Sequence, residues 1–149
     1  MTDPALPLAF LDAMMFQYPG WPLTQEIARR AEGRLGLRVG GTVWEEITHP
    51  RTPKFVRSRA ERFSPLAEPV FDASDHACAR RVARAIHGGG GRGLRHLSDA
   101  LHIVEADRYR AAYFITADGR IIAQRAAILD EVRVYPCTPS EMVSILEVK

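Results

Sequence analysis

Two short apolar runs, Leu8-Ala9-Phe10-Leu11 and Ala112-Tyr113-Phe114-Ile115-Thr116, are each followed closely by an aspartate, Asp12 and Asp118. A run of four or five residues without polar alternation suits a strand buried on both faces, as in a parallel sheet covered by helices. A carboxylate just past such a strand leaves the core and meets the crevice outside the carboxyl ends of the strands. This pairing predicts an α/β layered architecture and places two acids at one edge of it.

The remaining segments fit that frame. After turn signals at Pro19-Gly20 and Pro22, Leu23 to Glu32 reads as a helix with Thr24 as cap and Gly33 as stop. Leu35, Leu37 and Val39 alternate with Gly36 and Arg38 as a second strand. Thr42 is placed to cap a short helix through Ile47 that carries Glu45 and Glu46 and stops at His49-Pro50. Thr52-Pro53 opens a basic helix to near Phe63, and Asp72 or Ser74 caps one carrying Cys78, Val82 and Ile86, which His87 and Gly88 to Gly91 end. Leu94, Leu97, Leu101 and Val104 mark an amphipathic helix to about Arg108 with Asp99 off its leucine stripe. Val132 and Val134 read as the last strand, and Thr138-Pro139-Ser140-Glu141 is a capping box that launches the final helix. The alternation predicts one three-layer α/β domain over residues 1–149 with a mainly parallel central sheet.

Composition narrows the classes. With 46% apolar and 26% charged residues the chain is far from disorder, and a net charge of +2 does not by itself mark a nucleic-acid binder. Two cysteines, Cys78 and Cys137, lack metal-ligand spacing and predict buried thiols in a reducing, cytoplasmic setting. The apolar start from Ala5 to Phe16 is broken by Pro7 and Asp12, so neither a signal peptide nor a membrane span is expected.

Asp99 and Glu46 are placed to reach the same edge as Asp12 and Asp118. Four converging carboxylates repel one another unless a cation lies among them. Oxygen donors without a suitable cysteine favour Mg²⁺ or Mn²⁺ over zinc, and phosphodiester hydrolysis is the natural chemistry of such a site.

The segment Ser98-Asp99-Ala100-Leu101-His102-Ile103-Val104-Glu105-Ala106-Asp107, followed by Ala112 to Arg120, resembles the distal half of a PIN domain, in which an Asp-Ala-Leu helix precedes a strand ending in Thr-x-Asp. Leu11-Asp12, Val43-Trp44-Glu45-Glu46-Ile47 and the closing Thr138 to Glu141 segment stand in that family's order. The resemblance implies that Asp12, Glu46, Asp99 and Asp118 bind Mg²⁺ or Mn²⁺, with Thr116 orienting the site. The family's glutamate precedes Leu or Ile, which favours Glu46; Glu45 is the alternative. It further implies an endoribonuclease acting on RNA, of the VapC toxin type, with an antitoxin protein as partner, a homodimeric state and no membrane association. Ala13-Met14 departs from the small polar pair usual after the first aspartate, which keeps open a decayed domain acting in interaction or RNA binding.

Other features carry less. His96, Asp99 and His102 at successive i+3 steps rotate about 60° each around the helix and converge poorly for zinc, so His102 reads as helix packing or support to the site. The glycine run lacks the strand-to-helix setting of a phosphate loop. Arg51, Lys54, Arg57, Arg59 and Arg62, with Arg92 and Arg95, form either a grip for an RNA backbone or a solvated face. Trp21 and Trp44 read as packing residues.

Overall fold

The computed structural model describes residues 6–88 and 96–148. Four parallel strands, β1 (Leu8–Leu11), β2 (Gly36–Arg38), β3 (Tyr113–Ile115) and β4 (Tyr135–Cys137), form a sheet in the order β2-β1-β3-β4. Helices α1 (Gly20–Ala31), α2 (Gly41–Ile47), α3 (Lys54–Glu61) and α8 (Pro139–Glu147) contribute to the apolar cluster that includes Ala9, Leu11 and Ile115. Helices α4 (Ala73–His87), α5 (Leu97–Arg108), α6 (Gly119–Ala123) and α7 (Arg125–Leu129) contribute to the cluster around Phe10 and Phe114. Successive residues of β1 thus enter opposite cores, as the period of two in a strand requires. The result is the three-layer α/β arrangement with an all-parallel sheet.

Strand order places β1 and β3 side by side, with Leu11 opposite Ile115. The chain leaves β1 towards β2 on one flank and later returns to the other flank, so a crevice opens where β1 and β3 end. Among the described residues no helix is long and apolar enough to cross a membrane.

Several local expectations shift for identifiable reasons. Helix α1 begins at Gly20, with Pro22 in its first turn, where a missing N–H has no helical partner to lose. Thr24 is therefore inside the helix, its hydroxyl donating to the carbonyls of Met15 and Gly20. Thr42 is likewise the second residue of α2 and its hydroxyl binds Glu105, while Thr52 donates to the Glu46 carbonyl instead of capping α3. The last strand starts at Tyr135, directly after Val134 and not at Val132. The N–H groups of Arg133 and Val134 are taken by the Asp107 carboxylate, and pairing starts when Tyr135 N–H donates to the Ala112 carbonyl. Helices α6 and α7, unforeseen, fill the interval before it. In α5 the deepest apolar side chains are Ala100, Ile103, Val104 and Ala106, and Leu97 and Leu101 are only half-buried, because the helix is covered by α4 and α2 as well as the sheet. Leu94, Gly89 to Gly91, Arg92 and Arg95 lie outside the described residues. The capping box expected at Thr138 is present, and of the two cap candidates for α4 it is Asp72 that caps, in a capping box with Asp75.

The entry to α2 has no room for side chains. A Cβ on Gly41 would stand 2.1 Å from the Ala67 carbonyl oxygen, and one on Gly40 would stand 2.6 Å from Glu105 Oε1. The obstacle at Gly41 is backbone, so Gly41→Ala is expected to cost about 2 kcal/mol or more and to lower Tm by about 4–8 °C. A thermal melt within 1 °C of the parent, a shift of well under about 1 kcal/mol, would show that α2 is free to move away from the 67–69 segment.

Candidate metal centre

Asp12 follows β1 directly, and its N–H continues the sheet by donating to the Ile115 carbonyl at 3.0 Å. Its side chain is 6% exposed. Oδ1 accepts from Ala13 N–H at 2.8 Å and Oδ2 accepts from the Thr116 hydroxyl at 2.7 Å, so both oxygens are fixed. Burial pushes the Asp12 pKa up, and neither the nearby His102 nor the two hydrogen bonds cancel that effect.

Thr116, just past β3, is fully buried. Its hydroxyl oxygen also accepts from Asp118 N–H at 3.0 Å, so one hydroxyl ties the first aspartate to the turn after β3. The Asp118 carboxylate is half-buried and accepts from Arg120 N–H at 2.9 Å as the cap of α6.

Glu46 is brought in by α2. Its side chain is half exposed, and its Oε2 lies 3.7 Å from Nε2 of His102, too far for a hydrogen bond. The imidazole is the main reason the Glu46 pKa falls below its usual range. One ligand atom from each of Asp12, Glu46 and His102 lies within 4.8 Å of the other two, the one such group among the described residues. Glu45 is not a member of it.

Asp99, on the first turn of α5, stands outside this close set but within reach of its field. Burial first, then the carboxylate of Asp12, raise the Asp99 pKa, with Asp118 and Glu46 adding to the rise. The four predicted acids therefore share one edge of the sheet, with Asp12 and Glu46 close together and Asp99 and Asp118 flanking them.

His102 and Glu105 were not read from the sequence as part of the site's core. His102 is 3% exposed; burial opposes its protonation, but Glu46, Asp12 and Asp99 outweigh this and raise its pKa. Its Nδ1 lies 2.8 Å from Thr42 Oγ1, and the Thr42 hydroxyl donates to Glu105 Oε1 at 2.8 Å. Glu105 is fully buried and also accepts from Gly41 N–H at 2.7 Å and Thr42 N–H at 3.0 Å. Asp99, His102 and Glu105 recur every third residue in a helix that is otherwise largely apolar, and this polar stripe was the available signal. His96, by contrast, stacks near His87 with centroids 5.7 Å apart and takes no part in the group.

A cleft of about 390 Å³ opens beside the group, lined by Thr42, Glu45, Glu46, Ser98, Leu101 and His102. The basic face of α3 is partly committed to the fold: Arg59 lies over the rings of Trp21 and Phe55 and donates to the Phe16 carbonyl, and Arg57 donates to the Thr48 carbonyl. Arg51, Lys54 and Arg62 are exposed. Trp21 is in the first core and Trp44 packs against it.

No protein-family model matches this chain and no curated protein matches it.

Proposed function

We propose that the chain is a metal-dependent endoribonuclease that hydrolyses RNA phosphodiester bonds. The observation that carries this is the meeting of Asp12 and Glu46, with Asp99 and Asp118 beside them, at the crevice where β1 and β3 end. Burial already disfavours the charge on Asp12, and three ligand atoms within 4.8 Å, one of them a buried nitrogen without a hydrogen-bond partner, suit a divalent cation.

Mg²⁺ or Mn²⁺ held there supplies Lewis-acid polarisation of a phosphoryl oxygen and a water of lowered pKa. Asp12 is held by Ala13 N–H and the Thr116 hydroxyl, so its carboxylate is in position before substrate arrives. Asp99 stands outside the close set of ligand atoms and its pKa is raised, which together suit it to take a proton from the attacking water. The cleft beside Glu46 and Ser98 offers the nucleotide chain a place to lie, and exposed Arg51, Lys54 and Arg62 are available for phosphate contacts.

The resemblance to PIN domains extends the proposal to a VapC-type toxin: a cytoplasmic homodimer restrained by an antitoxin protein. The test is cleavage of a mixed pool of structured and single-stranded RNAs with Mg²⁺, with Mn²⁺ and with chelator. Metal-dependent cutting is expected, and Asp99→Asn is expected to slow it by about 10²-fold, the usual range for a general base. An Asp99→Asn protein as active as its parent removes Asp99 from the mechanism.

One observation favours a second reading. Met14, where the family resemblance calls for a small polar residue, places its sulfur 3.6 Å from the Thr116 hydroxyl. A decayed site used for interaction or RNA binding would take up no Mn²⁺ at millimolar metal in calorimetry.

A further inference from the structure

The carboxylates do not account for His102. Its ring is buried, Nδ1 is engaged by Thr42, and Nε2 has no hydrogen-bond partner. Leaving a buried polar atom unpaired is costly, and a ligand at Nε2 removes that cost.

The tautomer follows from the neighbouring hydroxyl. Thr42 Oγ1 carries a single proton and gives it to Glu105, so in the 2.8 Å contact with Nδ1 the hydroxyl oxygen accepts and Nδ1 carries the hydrogen. In the neutral ring, the form that a cation binds, Nε2 is then the atom with the free lone pair, and it faces Glu46. Metal-binding histidines are set in this way, with the remote ring N–H fixed by a hydrogen bond that leads to a carboxylate.

We propose that His102 Nε2 is a direct ligand, together with Asp12 and Glu46, of the divalent cation, and that this nitrogen makes the site select a transition-metal ion such as Mn²⁺ over Mg²⁺. The proposal rests on the metal-dependent reading above and adds the donor that sets its selectivity. Mg²⁺ prefers a shell of oxygens and water; Mn²⁺ accepts the same oxygens but, as the first member of the series whose later ions favour imidazole, takes a nitrogen donor more readily than Mg²⁺ does. The rival role is an imidazolium that only balances the charge of the two acids. That role calls for an Nε2–H hydrogen bond to one of them, and the 3.7 Å separation from Glu46 does not provide it.

The experiment is calorimetric titration of the full chain with Mn²⁺ and, separately, Mg²⁺, beside electron spin echo spectroscopy of the Mn²⁺-loaded protein. It is repeated on His102→Gln, with Asp12→Asn as the control that removes a carboxylate donor. The spectrum of the parent protein reads the donor directly and does not depend on a variant folding. Expected are a directly bound nitrogen in the parent spectrum, its loss in His102→Gln, and Mn²⁺ binding weakened by about tenfold or more while Mg²⁺ binding changes by less than about threefold. Mn²⁺ bound with no nitrogen coupling in the parent overturns the assignment of His102 and leaves the acidic metal site standing. No uptake of either ion by folded protein overturns both.

Discussion

Asp12→Asn is expected to abolish metal-dependent RNA cleavage, by about 10³-fold or more, and at the same time to make the metal-free protein more stable. Both effects come from one carboxylate. Asparagine can keep the local hydrogen bonds: its carbonyl oxygen takes the Ala13 N–H, and its amide faces the Thr116 hydroxyl oxygen, whose proton turns away. The 3-10 turn Ala13–Phe16 and the link to β3 are therefore preserved. What is lost is the negative charge that would hold a cation next to Glu46.

The sign of the stability change follows from linkage. Burial raises the Asp12 pKa in the folded chain above its unfolded value of about 3.9, so the native state binds the proton more tightly than the unfolded state. Stability is then greatest below about pH 4 and falls as pH rises through the interval up to the folded pKa. Above that interval the parent carries the full penalty of an ionised buried carboxylate, and the asparagine variant does not. Metal-free Asp12→Asn should thus melt about 2–4 °C higher near neutral pH, equivalent to about 1 kcal/mol, with the gap closing at low pH. Saturating Mn²⁺ reverses the order. At one hundred times Kd a ligand adds about 2.7 kcal/mol, or about 5–11 °C, to the parent alone. Melting curves with and without Mn²⁺ check this directly. Parallel shifts in parent and variant would remove Asp12 from the metal site.

Apolar periodicity made the layers legible. Leu8 to Leu11, the alternation at Leu35, Leu37 and Val39, and the Thr138 capping box each depend on neighbours in sequence, and each is where the pattern puts it. The misplaced features depend on partners outside the local pattern, six and nine residues away for Thr52 and Thr24 and 26 or more away for the others. Thr24, Thr42 and Thr52 have the composition of caps, but their hydroxyls are taken by Met15, Glu105 and Glu46. Val132 and Val134 have the alternation of a strand, but Asp107 takes the backbone donors beside them. The same division runs through the site. Asp12 and Asp118 stand beside apolar runs and announce themselves, whereas His102 and Glu105 gain their roles from α2, some 60 residues earlier in sequence.

Glu105 is the residue through which fold and site depend on each other. Helix α2 starts at Gly41, its N-cap Gly40 has no side chain to offer, and the bare Gly40 leaves space for a carboxylate arriving from α5. Glu105 accepts from two backbone N–H groups and one hydroxyl there. Glu105→Ala removes the acceptor of the buried Gly41 N–H and of the half-buried Thr42 N–H and hydroxyl, at about 1–3 kcal/mol for each donor left unpaired, and adds a cavity. A loss of about 4 kcal/mol or more is expected, a large share of the 5–15 kcal/mol typical of a whole domain, with Tm falling by about 8–16 °C. Glu105→Gln is the milder case, because one oxygen remains to accept while the amide faces a donor. If the hydroxyl of Thr42 loses its acceptor it no longer has to accept from Nδ1, so the tautomer of His102 is released. Glu105→Gln should therefore stay folded yet lose metal affinity by about 10–100-fold, the range seen when the partner of a metal-bound histidine is removed. Thermal melts and Mn²⁺ titration of the two variants separate the effects: a destabilised Glu105→Ala beside a Glu105→Gln with unchanged Mn²⁺ affinity would make Glu105 an anchor for α2 and nothing more.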